Sequence, residues 1–265
     1  MYNKSYFTLG VLAILITATS CEINIDRDRD GNNSSELDEH SRQISLSEDI
    51  TSLKTKVEMG GGVLNISGTD KYALDSYFES EDLDDIEIDY DTDGSQGTIY
   101  INQDKDFNIK MGGDNTISDE WNIKLNRKIV QDMDITLGAG ESELDLSDFN
   151  LRDVKITMGA GENDIDLRNS SPETLKVEAG VGDIRLDLSG KWKNDSHIRV
   201  SGGIGQLVLI LPEDTDIEVE VNGGLGSVEA SSLDKRGRKY YQEGRGYKLD
   251  IEVNAGIGSL EIITR

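Results

Sequence analysis

From about residue 130 onward the chain alternates apolar and polar positions with a period of two, and the alternation restarts around a recurring Gly-x-Gly step. The pairs are Gly138/Gly140, Gly159/Gly161, Gly180/Gly182, Gly203/Gly205, Gly224/Gly226 and Gly256/Gly258, with first glycines 21, 21, 23, 21 and 32 residues apart. Five residues before each first glycine stand Met133, Val154, Leu175, Ile198, Val219 and Ile251. Three before it stand Ile135, Ile156, Val177, Val200, Val221 and Val253, all β-branched. Two residues before it stand the polar Thr136, Thr157, Glu178, Ser201, Asn222 and Asn254. Apolar residues resume six places after the glycine at Leu144, Ile165, Leu186, Leu209 and Ile262, with the small Ala230 as the exception. Such alternation predicts strands with one buried face, so each unit reads as strand, glycine corner, strand, in an internal repeat. Glycine at the corner implies either a positive φ or a backbone approach too close for a Cβ. The dinucleotide fingerprint does not fit, because it needs a third glycine and a following helix.

The pattern predicts an all-β chain, and two architectures satisfy it. In a right-handed parallel β-helix or solenoid-like repeat of about 21 residues per unit, equivalent strands stack at ~4.8 Å. In an antiparallel β-sandwich each unit is a hairpin. The matching β-branched columns favour the solenoid. An earlier, divergent copy occupies the same offsets at Val57, Met59, Gly60, Gly62, Leu64 and Ile66. Short alternating runs (Ile86 and Ile88; Ile99 and Ile101; Ile123 and Leu125) follow between Asp/Gly turns. The expected organisation is a signal peptide over 1–20, a flexible acidic tether over 21–45, an N-terminal β module over 46–130 and the glycine-cornered repeat domain over 131–265. The N-terminal module would cap the stack, whose end otherwise exposes core and strand edges.

The run WNIKLNRKIVQDMDITLGAGESELDLSDFNLRDVKITMGAGENDIDL resembles the toast-rack family of bacterial lipoproteins, relatives of adhesin-type β-solenoid domains and of LiaF-like C-terminal domains. The later GGIGQLVLILPEDTDIEVEVNGGLGSVE and the tyrosine-containing insert before GIGSLEI share the likeness, which spans about 46–265. The resemblance implies a β-solenoid-like, noncatalytic protein of the envelope and carries no catalytic residues.

The N-terminus, MYNKSYFTLGVLAILITATSC, sets Lys4 before an apolar stretch of twelve residues, Tyr6 to Thr17. That is too short to span ~30 Å of hydrocarbon. Small residues Ala18, Thr19 and Ser20 precede Cys21, the only cysteine. The arrangement resembles a lipoprotein signal peptide, with Ala18 where leucine is usual. It implies lipidation of Cys21 and attachment to a membrane, most readily the outer membrane, on its periplasmic side or at the cell surface. Two or three acyl chains would anchor stably where one binds only marginally.

Charge narrows the partners. The chain carries 27 Lys plus Arg against 52 Asp plus Glu, a net −25. Such a surface repels nucleic acid and attracts divalent cations or basic partners. The segment from Asp26 to Gly31 mimics the start of a calcium-binding loop, but the twelfth position, which needs a bidentate Glu, holds Leu37. Asp145, Asp166 and Asp187, each seven residues after a first glycine, should form an outward column. They are a candidate calcium ladder, or else solvated carboxylates that discourage edge pairing; no other cofactor is indicated. The insert over 231–248 gathers Arg236, Arg238, Lys239, Tyr240 and Tyr241, with Lys235, Arg245, Tyr247 and Lys248 nearby. It is the candidate partner-binding patch, for polysaccharide or an envelope protein, unless it lies back on the protein's own acidic face. The only histidines are His40 and His197, and with Cys21 lipidated no Cys/His pair remains for nucleophilic catalysis. The expected function is therefore a noncatalytic, membrane-anchored envelope lipoprotein presenting a β-repeat surface, adhesin-like or concerned with envelope stress or the cell wall. The competing readings are a calcium-dependent polysaccharide-active enzyme on a β-helix, which rests on fold analogy, and a purely structural spacer.

Overall fold

The computed structural model describes residues 37–80, 83–103, 119–224 and 226–265. Cys21, the signal peptide, most of the tether and the calcium-loop mimic lie outside them. In chain order the strands are β1 (Asp38–Ser45), β2 (Ser52–Thr69), β3 (Tyr72–Ser80), β4 (Ile86–Asp93), β5 (Gln96–Gln103), β6 (Glu120–Asn126), β7 (Val130–Asp145) and β8 (Leu151–Asp166). Then come β9 (Thr174–Asp187), β10 (Ser196–Leu211), β11 (Asp216–Gly223), β12 (Ser227–Glu229), β13 (Asp234–Arg236), β14 (Lys239–Gln242) and β15 (Lys248–Thr264). The one helical element among the described residues is a 3-10 turn, Leu83–Asp85.

The repeat units stack in parallel, and the antiparallel-hairpin alternative is set aside. β2, β7, β8, β9, β10 and β15 are successive parallel neighbours, with equivalent positions in register: Ile135 pairs with Ile156, Ile156 with Val177, Val177 with Val200, and Val200 with Val253. A straight 16-residue strand such as β7 would run about 50 Å. The short turn from Leu146 to Asn150 cannot return across that distance to start the next strand in register. Each long strand must therefore fold at its Gly-x-Gly corner into two arms that face one another.

Burial shows the same fold in the chain. Along β7 the buried side chains are Gln131, Met133, Ile135 and Leu137 before the corner, and Ser142 and Leu144 after it. The buried set switches from odd to even numbers at the bend, so both arms turn their apolar faces inward. The two columns singled out before the glycine are buried throughout, with Ile156, Val177 and Val200 at 0% exposure. At the corner both reasons for glycine operate. A Cβ on Gly159 would sit 2.0 Å from the Gly138 carbonyl oxygen. A Cβ on Gly161 would sit 1.6 Å from the Gly140 oxygen, and Gly161 also has φ +140°.

Both ends depart from a simple pile. At the N-terminal end the first arm of β2 pairs with β5, and its second arm with β6, after which β4, β3 and β1 add antiparallel strands. β1 corrects the tether boundary: residues 38–45, expected to be flexible, pair with β3. Only Ile44 in that strand is buried, so its composition reads as linker while its backbone serves as an edge strand. At the other end the units do not follow chain order. β15, the last in sequence, lies between β10 and β11. The unit of β11 and β12 is thus outermost, and the hairpin of β13 and β14 covers the far edge of β11.

Candidate functional site

Register turns a sequence offset into a surface row. The residues four before each first glycine point outward from the first arm, between the two buried columns. On adjacent strands they line up as Lys56, Asp134, Lys155, Lys176, Arg199, Glu252 and Glu220. The hairpin continues the row with Lys239 and then Arg236. Nine strands at ~4.8 Å give a charged line about 38 Å long. At its centre Lys155, Lys176 and Arg199 are consecutive neighbours, three cations on a chain of net −25. Beside them an open trough of ≈ 590 Å³ is lined by Thr174, Lys176, His197, Arg199, Glu218 and Lys239, among others.

Each central cation has a carboxylate partner at the surface. Lys155 Nζ lies 3.5 Å from Asp134, Lys176 Nζ 2.9 Å from Glu178, and Arg199 Nη2 2.9 Å from Glu252. These flanking pairs offset the repulsion among neighbouring cations. With both partners well exposed, each such pair contributes about 0–1 kcal/mol, so a competing anion can exchange with it.

The predicted patch divides between two sides of the sheet. Tyr240 turns inward and is buried. Lys239 donates to Glu218 at 2.5 Å and lies 3.5 Å from Glu220, while Lys248 donates to Glu218 at 3.2 Å. Hydrogen bonds from Lys239 and Lys248 hold the Glu218 carboxyl below the ordinary carboxylate range, and Glu218 raises both lysines. Arg238 reaches Glu220 only at 3.8 Å. Arg236 lies over the Tyr241 ring, 5.2 Å from its centroid. Lys239 thus ties the hairpin to the protein's own acidic face, while Arg236, Arg238 and Tyr241 extend the outward row.

Asp145, Asp166 and Asp187 are register partners on β7, β8 and β9, and Ile210 takes the next place. The outward ladder of carboxylates needs correction, however. Each accepts a hydrogen bond from the backbone N–H two residues on: Ser147 at 3.2 Å, Arg168 at 2.9 Å and Ser189 at 3.0 Å. The chain leaves the arm at this position, and a short carboxylate there satisfies the turn amide. Asp145 is exposed, Asp166 half-buried and Asp187 buried. Burial alone would raise the Asp166 carboxyl, but the guanidinium and backbone N–H of Arg168 outweigh it and hold it below the usual range. Among the described residues no group of three or more His, Cys, Asp or Glu side chains is arranged to hold a metal ion.

Sequence reasoning overlooked Lys155, Lys176 and Arg199. Their signal was present as the offset between the two apolar columns. Their continuity with the insert was hidden, because it depends on β15 standing between β10 and β11.

Folded, in-register parallel strands with glycine corners and a charged outer wall define a β-solenoid-like protein. The family model described as the N-terminal domain of toast_rack, DUF2154, matches residues 22–174 and 153–210, together well over half of the chain. The chain belongs to the toast-rack family. A proposed cell adhesion protein from Clostridium sporogenes is 24% identical with a TM-score of 0.64, covering 87% of this chain and 100% of that one. A proposed adhesin from Bacteroides fragilis is 11% identical with a TM-score of 0.35, covering 87% and 98%. No curated protein matches the chain.

Proposed function

We propose that the protein is a noncatalytic, lipid-anchored envelope component, adhesin-like in use, that holds an anionic envelope polymer along the outer face of its first arm. The observation that carries this reading is the in-register run Lys155–Lys176–Arg199, continued past two glutamates by Lys239 and Arg236. A polymer with closely spaced charges meets a cation at each ~4.8 Å step of the central run. The rest of a −25 surface repels it, so contact is confined to the row and oriented along it. The similar C. sporogenes protein is named for cell adhesion, which is consistent with such a role. Attachment through Cys21, followed by polar sequence up to β1, would hold this face away from a membrane.

The test is binding of polygalacturonate to residues 22–265, with neutral dextran as the control. The double variant Lys176→Glu/Arg199→Glu should bind at least tenfold more weakly, and wild-type affinity should fall steeply with salt. Equal affinity in wild type and variant, with both melting alike, contradicts the proposal. The anchor has its own check: labelled palmitate should enter the wild-type protein in cells and not the Cys21→Ser protein.

A further inference from the structure

The trough on the first arm has a charge balance that one side chain can change. Four carboxylates line it: Glu218, Glu220, Asp250 and Glu252. Three of them have a lysine or arginine partner. Glu218 has Lys239 and Lys248, Glu220 has Lys239 and Arg238, and Glu252 has Arg199. Among the described residues the fourth, Asp250, has an ion-pair partner only in His197, whose Nδ1 lies 3.5 Å from its carboxylate. The pair is open to solvent, with the two side chains 80% and 52% exposed.

Register fixes where His197 stands. It lies two residues before Arg199 on β10 and therefore on the same outer face, beside the cationic run. From β9 it is met by Thr174 in register, with Lys176 one step along and Asp153 beyond on β8. Glu173, just before β9, accepts the His197 backbone N–H through its carbonyl at 3.0 Å. From β15 it is met by Asp250 in register, between Lys248 and Glu252, with Glu218 beyond on β11. Asp195, just before β10, accepts the Lys248 backbone N–H at 2.8 Å. Lys176, Arg199 and Lys248 already face Glu178, Glu252 and Glu218. The charge left open on this wall is that of Asp250.

Taking the polymer reading of this wall as its basis, we infer that the His197–Asp250 pair regulates it, tightening the hold on an anionic polymer as pH falls through the mildly acidic range. Histidine is the one side chain whose ordinary change of charge falls there. With the imidazole neutral, Asp250 is an unbalanced negative charge beside Lys176 and Arg199, and it repels the polymer. With the imidazole protonated the pair is neutral, and a polymer carboxylate meets the run without that repulsion. Protonation of the polymer itself would act in the opposite direction, weakening binding on the acid side. Because the pair is in contact with solvent, the effect is graded and amounts to a few-fold change in affinity.

The test is polygalacturonate binding by residues 22–265 at about pH 7.5 and about pH 5.5, at constant ionic strength. That window stays above the ordinary glutamate value of 4.5, so Glu218 keeps the hairpin in place throughout. Wild type should bind about threefold more tightly at the lower pH. His197→Gln should lose that difference, whereas His40→Gln, altered on β1 at the N-terminal end of the stack, should keep it. Asp250→Asn should bind more tightly than wild type at the higher pH, because the repelling charge is gone. His197 and Asp250 are exposed, so both variants should melt like wild type. Equal wild-type affinity at the two pH values, a difference that persists in His197→Gln, or no gain in Asp250→Asn overturns the inference and leaves the polymer reading standing. No binding by wild type at either pH contradicts the polymer reading itself, and the inference falls with it.

Discussion

At the scale of single residues the corner glycines carry the fold. Gly161→Ala adds a Cβ to a left-handed backbone and drives it into the carbonyl oxygen of the neighbouring coil. Strain and overpacking should together cost about 3 kcal/mol or more. Gly94 is the informative contrast: its φ is +59°, but a Cβ there meets no atom within 4 Å. Gly94→Ala should cost only about 1 kcal/mol, and urea denaturation of the two variants measures the difference. Equal losses would mean that the corner is not a close backbone contact. The glycines were legible in the sequence because one geometric demand recurs in every coil. The aspartates were legible as a column but not as turn caps, since spacing gives which residues align and not which amide each carboxylate meets.

At the scale of elements, β15 matters more than its terminal place in the chain implies. It contributes Leu249, Ile251, Val253, Leu260 and Ile262 to the core, all buried, between β10 and β11. Their burial is worth on the order of 10 kcal/mol, comparable with the whole stability of a typical domain. Removing residues 248–265 should leave no cooperative unfolding transition by circular dichroism. Replacing residues 231–247 with a flexible linker should leave one, at a lower midpoint. This order could not be read from the sequence, because equivalent units share the same columns and any one packs beside any other. The edge strand β1 was missed for the opposite reason: one buried isoleucine among charged residues is too thin a pattern to mark a strand.

The attachment of the hairpin should depend on acidity through Glu218. Because its folded pKa is lowered, the stability it lends is fully present above the ordinary glutamate value of 4.5 and is lost as pH falls through the folded value. Amide exchange over residues 239–242, corrected for intrinsic rates, should stay slow down to about pH 4.5 and quicken below it. Glu218→Gln should remove most of that pH dependence. An unchanged profile in the variant would assign the effect to other groups.

At the scale of the whole molecule, one repeated unit produces three surfaces of different character. The outer wall of the first arm carries the cationic run, the corners form an apolar ridge, and the outer wall of the second arm bears Glu141, Glu143, Glu162, Asp164 and Asp183, relieved mainly by Arg185. The exposed edges are charged: β13 reads Asp-Lys-Arg and β1 begins Asp-Glu-His. Such edges discourage further strands from adding. All-β class, repeat length and buried columns follow from local periodicity and were therefore open to sequence reasoning. Which surface rows join, and in what order, follows from topology and was not.

The most direct measurement is disulfide mapping of neighbours in a Cys21→Ser background. Ser201→Cys paired with Asn254→Cys places thiols on adjacent strands in register, within disulfide reach. Ser201→Cys paired with Asn222→Cys places them two strands apart, with β15 between. In-register stacking with the last coil inserted predicts an internal disulfide in the first protein and none in the second. The reverse result would contradict it.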